Sequence, residues 1–257
     1  MAQLQVDDPG QSRSTHVLKL GGSLLQSPDL PNQVGRWWQH LRDLHVESGP
    51  VQWLVVVGGG TVVDAVRAWD RVHSLSPRDS HRLALAGMQV TARMVARLME
   101  WPLLEFPAAG AIGGGKVSPE GPDSVDPMTR SEMAAWTGTA ARFGVERPLV
   151  VDLAAAAAAD RRFPESWDVT SDSLAMWLAT QVRAKQLVLL KAVSPLENPV
   201  KIGKISDLGW VDAFFSRMWS EEPGIQVEIA HFSHYPQISQ VHVILQDISV
   251  CGGTFRR

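Results

Sequence analysis

Three short segments of the chain gather residue types that can hold and transfer an anion. Lys19-Leu20-Gly21-Gly22-Ser23 places a cation two residues before a glycine pair, and Val57-Gly58-Gly59-Gly60-Thr61 is a second glycine cluster. Glycines let backbone amides approach an anion closely, and the N-terminus of a following helix adds partial positive charge. The third segment, Trp167-Asp168-Val169-Thr170-Ser171-Asp172-Ser173-Leu174-Ala175, sets hydroxyls and carboxylates just before an apolar helical pattern. One of these residues serves as the helix N-cap, which leaves a second carboxylate to orient cations or a bound metal. A single glycine cluster at a strand-to-helix turn is commonly structural. Two of them, with Lys19 beside the first, point to phosphate chemistry.

The elements around these segments must bring them together. His16 to Leu20 is a mostly apolar run that stops at Gly21-Gly22, and Gln52 to Val57 is a second, closed by the glycine triplet. Both read as buried strands that end in tight loops. Leu30, Val34, Trp37, Trp38, Leu41 and Leu44 recur at helical spacing after Ser27-Pro28-Asp29. Helical patterns follow for Val62 to Trp69, for Arg78 to Glu100 and for Ser173 to Arg183, and Ala154 to Ala159 forms a small helix. Further strands are expected at Trp101–Phe106, Leu149–Asp152, Gln186–Leu190, Ile225–Ile229 and Val241–Gln246, with loop or hairpin between Ala108 and Met128. Strands alternating with helices argue for a mostly parallel sheet covered on both faces, and such sheets bind ligands at the carboxyl ends of their strands.

Composition narrows the function classes. The 257 residues are 45% hydrophobic and 20% charged, enough to bury a core in one large α/β domain. A net charge of −3, without a clustered Lys/Arg face, argues against a nucleic-acid partner. No apolar run approaches the roughly 20 residues of a membrane span. The single cysteine, Cys251, excludes an internal disulfide and makes a thiolate metal cage implausible, so a reducing, cytoplasmic setting is expected. Residues 1–14 read as a disordered tail without a signal-peptide core, and 15–257 as one domain. Most of the ten Trp fall at helix or strand spacing and are expected in the core.

In order and spacing, Lys19–Ser23, Gly58–Gly60 and Thr170–Ala175 resemble the amino-acid-kinase superfamily, over roughly Val17 to Lys191. Val66-Arg67, Asp70, His81, Ala84 to Met88, Pro164 to Ala175 and Gly209 to Asp212 bear a narrower likeness. It is to the kinases that phosphorylate aminomethylfuran methyl phosphate in methanofuran synthesis and to their bacterial relatives. The resemblance implies a three-layer α/β/α sandwich with an open, mostly parallel sheet. It also implies an acceptor lobe over about 15–170, a nucleotide lobe over about 171–257, and a homodimer or higher homo-oligomer. The implied activity is transfer of the γ-phosphoryl group of ATP, carried with Mg²⁺, to a small anionic acceptor, with no metal bound by the protein itself. Phosphoryl transfer asks the protein chiefly for positioning and charge neutralisation. On that basis Lys19 contacts the transferring group and Asp172 orients Lys19 and a second cation. Amides of Gly21, Gly22, Gly59 and Gly60 hold the phosphate groups, and Arg67 reaches the acceptor anion as a bidentate partner. Ser23, Ser171 and Lys191 fall on the nucleotide side, and Gly58 and Thr170 on the acceptor side.

The pattern departs in one place. Where relatives carry Thr-Asp-Val-Asp-Gly after the strand equivalent to Gln186–Leu190, this chain reads Lys191-Ala192-Val193-Ser194-Pro195. Lys191, Lys201 and Lys204 are the candidates for the second cation. The altered loop also admits a non-catalytic ligand-binding or storage protein, or a regulatory protein, on the same scaffold; a kinase with a carboxylate acceptor is a further alternative. Retention of Lys19, both glycine clusters and Asp172 favours the enzyme. Gly110 to Lys116 has the spacing of a phosphate-binding P-loop, but Val117 stands where Ser or Thr is required, and Pro119 and Pro122 oppose the helix. A loop over the acceptor site, with Lys116 as a contact, is the better reading. His231, His234 and His242 lack neighbouring acidic residues and read as packing or surface histidines rather than a metal site.

Overall fold

The structure is a computed structural model that describes residues 14–44, 49–108, 130–143, 147–192, 202–222, 224–232 and 241–243. Strands β1 (Ser14–Leu20) and β2 (Val51–Val57) flank a 3₁₀ turn, Gly22–Gln26, and helix α1 (Leu30–Leu44). Helices α2 (Gly60–His73) and α3 (Pro77–Met99) then lead to β3 (Leu103–Glu105). After α4 (Arg130–Ala141) come β4 (Leu149–Asp152), α5 (Ala154–Ala159), α6 (Ser171–Gln181) and β5 (Gln186–Lys191). Helices α7 (Ile202–Asp207) and α8 (Ala213–Glu221) precede β6 (Gln226–His231) and β7 (Val241–Val243).

All seven strands form one sheet in the order β3-β4-β2-β1-β5-β6-β7. Six are parallel, and β7 joins the edge antiparallel to β6. Strands buried on both faces are largely apolar, and their alternate side chains divide between two cores. Val17, Leu54, Val56, Leu187, Leu189 and Ile229 face α4, α5, α6 and α8. Leu18, Leu20, Val55, Val57, Val188 and Leu190 face α1 and the C-terminal half of α3. This is the three-layer α/β/α sandwich with an open, mostly parallel sheet.

From β1 the chain lays down β2, then β3 at the edge and β4 between β3 and β2, and then crosses to β1's other side to lay down β5, β6 and β7. The order therefore reverses at β1, the kind of point where open α/β sheets leave a crevice beyond the carboxyl ends of their strands. Lys19 and the Gly21-Gly22 turn lie at that end of β1, Gly58 follows β2, and Lys191 ends β5. Three helices, α4, α7 and α8, were not legible from periodicity. The proposed tail apart from Ser14, the segment 109–129 with Lys116, Ser194-Pro195, Lys201, His234 and Cys251 lie outside the described residues, as do the side chains of Lys204 and His242.

Candidate active site

The two glycine clusters meet backbone to backbone. A methyl group on Gly22 would lie 2.3 Å from the Gly60 nitrogen, and one on Gly60 would lie 2.7 Å from the Gly22 carbonyl oxygen. Gly60 also holds φ at +51°, where a side chain is strained. Nothing larger than glycine lets these loops approach so closely. The Gly21 amide donates to Leu190 O and the Gly58 amide to Leu20 O, at 3.0 and 2.9 Å. The Gly21 N–H thus serves the sheet. The N–H groups of Gly22, Ser23 and Gly60 fall in the first turns of their helices, where intrahelical acceptors are lacking. Gly59 provides no side-chain cap to α2, which leaves that helix end open.

Beside the loops lies a buried ion cluster. Thr170 is the N-cap of α6: its Oγ1 accepts from the Asp172 amide at 3.2 Å, so Asp172 is free of that duty. Asp172 Oδ1 sits 2.7 Å from Lys19 Nζ and Asp172 Oδ2 2.5 Å from Lys191 Nζ. The Lys19 contact is a buried ion pair. Lys191 also donates to the Trp210 carbonyl. Burial pushes the Asp172 carboxyl upward, but the two ammonium groups outweigh it and hold the carboxyl below its ordinary range. Burial lowers Lys191, and Lys19 adds to that, against the pull of Asp172 and Asp212. Two cations thus converge on one carboxylate at the strand ends. Such a cluster can neutralise charge on a phosphoryl group without bond-making by the protein.

A cavity of about 300 Å³ opens next to the loops, lined among others by Gly22, Ser23, Gly59, Gly60, Thr170 and Ser171. Val63, Ala84, Leu85, Met88, Val169 and Leu174 give it apolar walls. Trp167 and Arg67 stand on its rim. The Trp167 Nε1 donates to Asp70 Oδ2 at 2.6 Å, and the Arg67 guanidinium lies 4.9 Å from the Trp167 ring. Arg67 also pairs with Asp64 at 3.0 Å, so it lines the cavity already partnered. His81, on α3, closes another side; burial lowers it, while Glu165 and its bond to the Ser166 carbonyl pull it upward.

A model described as the amino acid kinase family matches residues 14–209. The chain belongs to the amino acid kinase family. As a member it is an ATP-dependent kinase. Solved structures that this kinase resembles include the UMP kinase of Bacillus anthracis, at 10% identity and a TM-score of 0.58, covering 89% of this chain and 94% of that one. The UMP kinase of Ureaplasma parvum gives 10% identity, a TM-score of 0.54, and coverage of 85% and 89%. The aspartate kinase of Synechocystis gives 13% identity and a TM-score of 0.59, over 91% of this chain and 40% of that longer one. These likenesses are of fold. A comparison with curated protein sequences finds no match.

Among the sequence candidates, the kinase brings Lys19, Asp172 and Lys191 into one cluster and Gly22, Ser23, Gly59, Gly60, Arg67, Thr170 and Ser171 around one cavity. Gly58 packs against Gly22 and Ser171: a methyl group there would meet the Gly22 nitrogen at 2.6 Å and Ser171 Oγ at 3.0 Å. Trp136 is a core residue, edge-on to Phe106 at 4.8 Å and bonded to Glu105 O. Ala156 and Ala157 of the alanine run are likewise core. Residue types gave no functional role to Asp212, which caps α8 and also grips the start of α6. Its helix-start position, before Phe214-Phe215, was the available signal. Among the described residues no group of three or more His, Cys, Asp or Glu side chains is gathered as a metal site, and no helix is long and apolar enough to cross a membrane.

Proposed function

We propose that this kinase transfers the γ-phosphoryl group of ATP to a phosphate monoester on a small, flat or apolar body, giving a diphosphate. The observation that supports this reading most is the Lys19–Asp172–Lys191 cluster beside a cavity lined by the glycine turns and by apolar side chains. Lys19 and Lys191 neutralise the transferring group, and Asp172 holds them at one point. The first-turn amides of Gly22, Ser23 and Gly60, with the Ser23 and Ser171 hydroxyls, bind phosphate oxygens. The acceptor's organic part lies against Val63, Met88 and Leu174, with Trp167 as a wall. An aminomethylfuran phosphate has this form, in keeping with the narrower sequence likeness. Arg67 meets the acceptor anion by exchanging Asp64 for it.

Asp172 is engaged by two lysines and Asp212 by four donors, so neither carboxylate offers a free oxygen to a metal. Mg²⁺ would then be carried on the nucleotide phosphates, where it would supply further charge neutralisation. The reaction takes place in a reducing cytoplasmic setting, in a homodimer or higher assembly. Purified protein with Mg-ATP and a panel of small phosphate esters should release ADP. Acetylglutamate, aspartate and carbamate should neither be phosphorylated nor compete. Efficient phosphorylation of a free carboxylate would overturn the acceptor assignment, and no ADP release with any acceptor would favour the ligand-binding alternative.

A further inference from the structure

We propose that Asp212 is a positioning residue of the transfer centre, joining α8 to the start of α6 and fixing where Asp172 and Lys191 meet. This rests on the reading of Lys19, Asp172 and Lys191 as that centre. Capping α8 requires a single bond, the Phe215 amide to Asp212 Oδ1 at 2.7 Å. Asp212 makes three more, all to α6 and its cap. Its Oδ2 accepts from the Thr170 amide at 3.2 Å and from Thr170 Oγ1 at 2.6 Å, and its Oδ1 accepts from the Ser173 hydroxyl.

The direction of these bonds matters. An ionised carboxylate only accepts, so the Thr170 hydroxyl must give its one proton to Asp212. Its lone pairs are then turned to the Asp172 amide, 3.2 Å away. Ser173, on the other side of Asp172, is held by the same carboxylate. Asp172 thus lies between two residues that Asp212 fixes. Two residues before Asp212, the Trp210 carbonyl accepts from Lys191. The turn at Gly209, with φ at +67°, leads into this segment. One short stretch, 209–212, therefore sets both partners of the Lys191–Asp172 contact. The charges acting on Lys191 are Asp172 from α6, Lys19 from β1 and Asp212 itself, two negative groups against one other positive group. Removing the Asp212 charge leaves Lys191 with a net weaker hold on its proton.

The full chain, with ¹⁵N-labelled lysines, allows the Lys191 ammonium to be followed by NMR as pH is raised; its signal is assigned by its loss in Lys191→Arg. In Asp212→Asn, Lys191 is expected to lose its proton at a lower pH than in the wild type. ADP release from Mg-ATP with small phosphate esters should fall tenfold or more in kcat, with KM for ATP little changed. Asp212→Ser, which retains a good N-cap for α8 and so protects the fold, should show both changes. A capping role alone would leave the Lys191 titration and kcat of the Ser variant at wild-type values, and that result overturns the proposal. Lys191→Ala, assayed in parallel, separates this from the underlying reading. Wild-type turnover in that variant would remove Lys191 from the transfer centre, whereas the NMR titration still decides whether Asp212 governs Lys191.

Discussion

Asp172 divides its two oxygens between lysines from different strands, and each of the three groups depends on the other two. Lys19→Ala removes a preorganised cation, and kcat should fall by roughly 10²–10³ with the fold retained; steady-state kinetics beside a thermal melt checks both. Asp172→Asn leaves two buried ammonium groups without their counter-charge. The breakage of a buried pair costs about 3–5 kcal/mol, so Asp172→Asn should lose both rate and stability, and nucleotide affinity should change less than kcat. Had Asp172 been the helix cap, only stability would fall, but Thr170 holds that position. The sign with pH follows from the direction of the shift. Because the folded carboxyl sits below its ordinary value, its contribution to stability is full above the unfolded value of about 3.9. It is lost as pH falls through the lowered folded value. At the alkaline end, buried Lys191 should deprotonate below the ordinary lysine value of about 10.4, and kcat should fall there. Lys191→Arg keeps its charge and should remove that alkaline limb from the kcat profile.

The glycine turns act as elements rather than as separate residues. Gly22 belongs to the turn after β1 and Gly60 opens α2, yet each occupies the space a side chain of the other would need. Gly60→Ala adds a methyl group 2.7 Å from a backbone oxygen, at a left-handed φ, and should lower both the melting temperature and kcat. Gly35, inside α1, serves as the control, because a methyl group there would meet no atom of another element within 4 Å. Gly35→Ala should stabilise by about 0.5–1 kcal/mol and leave kcat unchanged. Denaturant melts of the two variants distinguish a close approach from a mere loss of backbone freedom. The loop before α6 is also tied down as a unit: Glu165 pairs with Arg78 at 3.7 Å, His81 bonds Ser166, and Trp167 bonds Asp70. This is why the wall of the cavity is continuous with α2 and α3.

Across the whole sheet, ionisable groups at the two ends act in opposite senses. The carboxyl end carries the Lys19–Asp172–Lys191 cluster. On the other half of the strands, His16, Gln186 and Glu228 form a chain across β1, β5 and β6, through contacts of 2.9 and 2.7 Å. Burial raises the Glu228 carboxyl, against the bonds from Gln186 and Gln226. A raised folded value means that stability is highest while Glu228 is protonated and is lost as pH rises through that value. Glu228→Gln, which keeps an oxygen for Gln186 to donate to, should therefore raise the melting temperature at neutral pH. It should also flatten the gain seen on mild acidification; melts over a pH series measure both. An unchanged or lowered neutral melting temperature would mean that the carboxylate is better hydrated than its burial implies.

Much of this architecture is local and so was readable in the residues. Apolar runs ending in glycine, such as Val51–Val57 before Gly58, define strands because a two-faced buried strand tolerates few polar side chains. The 3.6-residue periodicity likewise marked α1, α3 and α6. Helix α4 escaped because its apolar positions form no clear stripe, and α8 because it is short. Lys19, Asp172 and the glycine clusters were identifiable by type and spacing, since phosphate chemistry requires cations, amides and little else. The second cation was not. Spacing made no choice among Lys191, Lys201 and Lys204; the parallel pairing of β1 with β5 sets the Lys191 ammonium opposite Asp172, a contact between residues 19 apart in sequence but on separate elements, while Lys201 and the Lys204 side chain lie outside the described residues. Nor could spacing separate Trp167 at the cavity from Trp136 in the core, because a tryptophan's surroundings depend on which helices pack over it. The Asp212 network was hidden for the same reason: a carboxylate looks like a helix cap until tertiary packing brings a second helix within reach of its other oxygen.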